Sequence, residues 1–541
     1  MIPHWTFLFT YGYGGLAVMA LGLLAGLQAS RWEWRLASPA AVWAGSSLLA
    51  LPLVGMVVLS TGYLLSPTYA DHIEASAASL VHYFRQGLPL YPDLTSYTFH
   101  GLLYGPLLSE ASSLGYLIAS GAIASKLVGW TAAWTAVTVL VLTARSGRRD
   151  AIWAAASACS LAALATVGTV MISDRSDPLL LLWASLALFA VVRLPPWSGL
   201  LLAACLAGSA ADLKAHGPLY IAPALALWAS AHLARRGARL GWGAGLAAAG
   251  AAAVGFLLPF IPAGASLPGY LHYLWLGGHH GLDLDVFGRN CVFLAGLWTP
   301  AVLVLITTRT LPLTPERWLA GALLAAQLIV AVVASKRGAG LHHLLPFVCF
   351  HAFLLERWLR QAASRSPDVA RGAALACCVA VLGSVPMAAV GLRGALYFDL
   401  QRPYQQAVQQ DVVKLAGRYP GVMMGITDVT SLGLTNYRTW LTLRGNRQTD
   451  YGALMDWTAS GASDAPLVLA LEDCEIPFVL IPQGPARPFS MYNPYNGEPL
   501  FSDEVRRVFA QHYSRVGRGE YFEVFGCEGT RDGTGQLATR K

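Results

Sequence analysis

Four groups of polar residues in this chain have the composition to do chemistry: Asp71 with His72 and Glu74; Asp174 with Arg175 and Asp177; Lys214 with His216; and Lys336 and Arg337 with His342 and His343. Each stands at or near the end of a long apolar run. Together they supply carboxylates and cations. A positioned carboxylate can take the proton from a poor nucleophile such as a hydroxyl, and cations can stabilise the charge that develops on a departing phosphate. Asp71 and Glu74 are three residues apart, which places both on one face if a helix begins there.

Each assignment has a plainer rival. Asp71 can be the N-cap of that helix, Glu74 a supporting or solvated residue, and Asp174, Arg175 and Asp177 a charge cluster at a helix end. Lys336 and Arg337 can be interface residues reaching out to water. His279, His280, Asp283 and Asp285 have metal-ligand residue types, but a polar loop accounts for them, and no pair of cysteines has metal-ligand spacing. No metal site is assigned, and a need for a divalent metal is left open.

The elements that must position these residues are membrane helices. Hydrophobic residues make up 55% of the 541 and charged residues 12%, against about 25% charged in a soluble domain. The deficit is confined to residues 1–394; residues 395–541 read as an ordinary soluble sequence. Runs such as Ala41–Leu65 and Trp242–Ile261 are long enough to cross a hydrocarbon core of about 30 Å as helices. The formal charge of +7 does not imply a nucleic-acid partner. The arginines cluster between apolar runs, at Arg31/Arg35, Arg145/Arg148/Arg149, Arg235/Arg236/Arg239 and Arg357/Arg360/Arg365, as expected of cytoplasmic loops.

Those clusters set the sides. Thr6–Gln28 lacks a basic leader and should remain as a first helix rather than a cleaved signal. Alternation then gives about twelve crossings with both ends outside, and external loops at about 66–100 and 263–289. Leu102–Ala119 is assigned as a juxtamembrane helix and Leu127–Thr143 as the crossing that follows it. The fold class is therefore a polytopic α-helical membrane protein carrying a small α/β domain outside the cytoplasm. In that tail, Pro403–Tyr419 and Phe501–Tyr513 have helical spacing, with Ser502 as N-cap. Val422–Thr427, Phe478–Ile481 and Tyr521–Phe525 read as strands. Cys474 and Cys527 are the only tail cysteines and each neighbours a strand. In an oxidising compartment they should pair, although spacing alone does not bring their Cα atoms together.

The first loop then carries a resemblance. Asp71 just after an apolar run, a helix through Phe84, the turn Gly87-Leu-Pro-Leu-Tyr91 and the helix start Tyr104-Gly-Pro-Leu107 resemble the first external loop of type-C (GT-C) integral membrane glycosyltransferases, such as the bacterial arabinose, mannose and galacturonic acid transferase-like families. Ser173–Phe189 and Lys336–Phe347 resemble later segments of that family, and a C-terminal periplasmic domain fits it. The resemblance implies transfer of a sugar from a polyprenyl-phosphate donor to a cell-envelope glycan, lipid or protein acceptor, at the outer face of the inner membrane. It implies Asp71 as general base, with Glu74 beside it. Lys336, Arg337, His342, His343 and Lys214 become candidates for the donor phosphate, with Asp174, Arg175, Asp177 and Tyr104 secondary. Two other classes stay open: a transporter or lipid flippase, and a non-catalytic assembly protein of the envelope. A transporter should show internal repeats and polar residues within broken helices at mid-membrane, and neither is found.

Overall fold

A computed structural model of the chain describes residues 24, 28, 38–92, 94–143, 150–165, 173–232, 238–278, 281–309, 313–382, 385–458 and 460–530. Apart from Leu24 and Gln28, the expected Thr6–Gln28 helix lies outside the described residues, as do the arginines at 31, 35, 145, 148, 149, 235 and 236 and His279 and His280. The chain divides into two compact units. The first holds 1–63, 129–258 and 282–397; the second holds 64–128, 259–281 and 398–541.

Among the described residues, seven helices are long and apolar enough to cross a membrane: Pro39–Leu64 (α1), Gly121–Thr143 (α4), Ser176–Arg193 (α6), Pro196–Leu213 (α7), the stretch Gly241–Phe260, Leu284–Thr308 (α11) and Thr314–Val333 (α12). At 1.5 Å per residue each covers roughly the apolar thickness. The Gly241–Phe260 stretch lies mostly in Ala238–Leu257 (α9), and further helices are Ala151–Ala165 (α5), Ala222–His232 (α8), Val348–Arg365 (α13), Pro367–Leu382 (α14) and Val385–Leu400 (α15). The last two of these lie on either side of 383–384. Two 3₁₀ segments, Gly217–Tyr220 and Leu341–Phe347, lead into α8 and α13.

In lipid, apolar contact alone does not favour one helix neighbour over another, so small residues and close backbone approach decide the packing. Helices α7 and α9 show this. A Cβ on Gly208 would lie 1.9 Å from the Ala252 carbonyl oxygen, and one on Gly255 would lie 2.1 Å from that of Cys205. The two glycines let the backbones touch, and alanine at either position forces the helices apart.

In the second unit the first-loop helix His72–Arg85 (α2) is followed by the short helix Pro106–Ser113 (α3) and a 3₁₀ turn, Leu114–Leu117. Neither is long enough to span, in keeping with the juxtamembrane assignment of 102–119. Helix Leu267–Gly277 (α10) comes from the second loop, and Arg402–Arg418 (α16) opens the tail. A four-stranded sheet follows, of order β1-β2-β4-β3, from Val422–Met424 (β1), Phe478–Pro482 (β2), Tyr513–Arg518 (β3) and Phe522–Cys527 (β4). β1 runs parallel to β2, with Val422 opposite Phe478; β4 is antiparallel to both β2 and β3. Val408, Val412 and Leu415 recur at helical spacing along α16 and pack on Val422, Met424, Phe478, Leu480, Phe522 and Val524, an apolar stripe laid on one sheet face. The free side of β1 is occupied by a side chain. The Gln448 amide accepts from Met424 N–H at 2.8 Å and donates to the Val422 carbonyl at 2.9 Å. Cys474 and Cys527 form a disulfide.

Candidate active site

In the first unit, helices α6 and α7 run in opposite directions, which brings the first turn of one beside the last turn of the other. Asp177 lies in the first turn of α6, and Lys214 caps the end of α7. The Lys214 ammonium donates to Asp177 Oδ1 at 2.7 Å and to His343 Nδ1 at 3.3 Å. All three side chains are buried, Asp177 completely. Taking two such charges out of water is costly unless they meet, so this contact is what makes the burial tolerable. His343 comes from the 3₁₀ segment after α12, which Gly340 opens with φ +155°, a backbone angle other residues rarely adopt. Its ring lies 4.4 Å from that of His342 and 5.4 Å from that of His216, centroid to centroid.

The cluster is cationic at its rim. Arg175 begins α6 and half-buried Lys336 follows α12. Burial first, then the Lys214 ammonium, holds part-buried His216 down to about 3, so its imidazole is neutral across the physiological range and bonds Tyr220 Oη at 3.2 Å. Such a set suits an anion with several oxygens. Asp177, His342 and His343 also bring one ligand atom each within 4.8 Å of one another, and could hold a metal by type. The Lys214 ammonium already contacts two of the three.

Of the other first-unit candidates, Asp174 is buried beside Arg175 at the start of α6. Arg337 is exposed and donates to Asp283 at 3.1 Å. Asp283 caps α11 by accepting from the amides of Asp285 and Val286; these bonds and Arg337 hold its acid below the usual carboxylate range. Asp285 pairs with Arg289 at 2.7 Å.

The second unit holds Asp71, Glu74 and Tyr104. Asp71 is the N-cap of α2, and its Oδ1 accepts from Glu74 N–H at 3.0 Å. Glu74 is fully buried, with Oε2 accepting from Ala70 N–H at 2.9 Å. Tyr104 contributes its carbonyl to the Tyr91 hydroxyl at 2.8 Å. Sequence reading did not single out what lies under α2. The buried pair Arg438 and Asp450, 3.1 Å apart, binds it: Arg438 donates to the His72 carbonyl and to Ser76 Oγ, and Ser76 donates to Asp450. No local pattern marks an Arg and an Asp twelve residues apart in a soluble tail as partners.

The described membrane-length helices and the small α/β tail make up a GT-C-like fold. Two solved structures share it. One is ArnT from Cupriavidus metallidurans bound to undecaprenyl phosphate, at TM-score 0.56 and 12% identity, over 92% of this chain and 100% of that one. The other is the same ArnT in the apo state, at TM-score 0.52 and 13% identity over the same shares. No family model matches the sequence. No curated protein matches it either.

Proposed function

We propose that this protein is a membrane glycosyltransferase that moves a sugar from a polyprenyl-phosphate donor to a hydroxyl of a cell-envelope glycan, lipid or protein, on the external face of the membrane. The observation that carries the reading is the likeness in fold, over nearly the whole chain, to a protein solved with undecaprenyl phosphate. The residues suit the chemistry. Asp71 takes the acceptor's proton as the acceptor oxygen bonds to the sugar's anomeric carbon. The bond from that carbon to the phosphate oxygen breaks, and its electron pair leaves with the phosphate. Attack from the face opposite the leaving group inverts the anomeric centre. Lys336, Lys214, His342 and His343 are assigned to the donor phosphate, where cations offset the developing charge. Lys336 is the first candidate among the cations, because Arg337 already pairs with Asp283 and Lys214 with Asp177.

The test uses Asp71→Asn and Lys336→Ala in the purified full chain, with labelled lipid-linked sugars. Asp71→Asn removes basicity and keeps size, so turnover should fall by roughly 10² to 10⁴ with donor binding little changed. Lys336→Ala should instead weaken donor binding. Near-normal turnover in Asp71→Asn rejects Asp71 as the base and moves the role to Glu74 or Asp177. No transfer from any polyprenyl-phosphate sugar by the native chain rejects the function.

A further inference from the structure

Lys126 is fully buried near the start of α4, yet no step above uses it. Its ammonium donates to the Thr68 carbonyl at 2.6 Å and the Ser66 carbonyl at 2.9 Å, and lies 5.2 Å from the centre of the Tyr69 ring. These residues form the turn that leads into Asp71. The rest of the turn is held in the same manner, all within the second unit. The Pro67 carbonyl accepts from Trp440 Nε1 at 2.9 Å, and the Tyr69 carbonyl from Asn436 Nδ2 at 3.3 Å. Ser66 Oγ donates to Gln405 at 2.8 Å, and Tyr69 Oη shares a hydrogen with Ser125 at 3.0 Å. Four consecutive carbonyls, Ser66 to Tyr69, thus each receive a side-chain donor, and one residue supplies two of them.

We propose that Lys126 is a positioning residue for Asp71: its ammonium clamps the Ser66–Thr68 turn so that the Asp71 carboxylate is delivered in one orientation at the start of α2. The proposal rests on the reading of Asp71 as the base. A desolvated ammonium is a costly way to fill space, and here its donors go to two carbonyls of one turn. Its two bonds fix the orientation of the turn. A group displaced by about 1 Å can lose about 10²-fold in rate, and a turn with two released carbonyls has that freedom.

The experiment compares Lys126→Met, Asp71→Asn and the double variant in the purified full chain, reading turnover, donor KM, melting temperature and amide hydrogen exchange. In Lys126→Met, turnover should fall by about 10²-fold with donor KM near native and a lowered melting temperature, since two carbonyls lose their donor. Exchange should rise across 68–76 and stay native in β2. Added to Asp71→Asn it should cost nothing further, because groups acting as one unit are not additive. If Lys126→Met does not fold, Lys126→Gln, which keeps a donor for one of the two carbonyls, should show the same pattern at smaller amplitude. A loss that multiplies with that of Asp71→Asn, or native exchange across 68–76, overturns the proposal. If Asp71→Asn alone is active, the base assignment has failed, and exchange still decides whether Lys126 holds the turn.

Discussion

Glu110, on α3, shows how a residue's surroundings set its chemistry. Burial alone raises its acid to about 7, and among the described residues its buried Oε1 has no hydrogen-bond partner. The folded state therefore holds this proton more tightly than the unfolded chain does. In the folded chain the protonated form persists up to about 7, so the stability it contributes is full below about 4.5 and is lost as pH rises through about 7. Glu110→Gln should melt like the native chain at pH 5 and above it at pH 8; equal melting temperatures at pH 8 would sink this. Asp71 was legible because an acid just past an apolar run is both a natural cap and a possible base, and the structure shows the cap. Asp177 and Lys214 were each legible as helix-end charges. Their pairing was not, since it joins residues 37 apart through the return of one helix beside another.

Most elements follow from apolar length and period. The exceptions have local causes. β3 was missed because Tyr513–Arg518 is a polar edge strand with a bulge between Arg515 and Gly517, so its sequence lacks the alternation that marks a half-buried strand. Helix Asp503–His512 stops where Tyr513 turns extended, and Ser502 caps it by accepting from Val505 N–H. The 3₁₀ segment Leu341–Phe347 contains Pro346, which an apolar count cannot distinguish from α-helix. The disulfide was expected from residue type and compartment, and the structure supplies the proximity that spacing could not. It closes a loop of 53 residues across β2. Opening it should cost the tail roughly 2–4 kcal/mol. Thermal melts with and without reductant should show a lower transition for the native chain and no reductant effect in Cys474→Ser; an unchanged native transition counts against a stabilising role.

For the whole molecule, the arginine clusters make a prediction about sides. A reporter active only in the cytoplasm should be active when fused after Arg149, Arg239 or Arg365, and silent after Gly264 or in the tail. An active tail fusion rejects external chemistry at Asp71. The division at 394/395 came from composition, which follows the chain. The second unit also gathers 64–128 and 259–281, and segments so far apart in sequence cannot be grouped by composition. Membrane insertion has one more consequence for the tail. Copies of a chain enter a bilayer in one orientation, so their tails crowd on one side, confined to two dimensions. An open strand edge there would be an invitation to zip neighbours together. The Gln448 amide takes the Met424 N–H and the Val422 carbonyl on the rim of β1, so these two groups are not offered to a strand of a neighbouring copy.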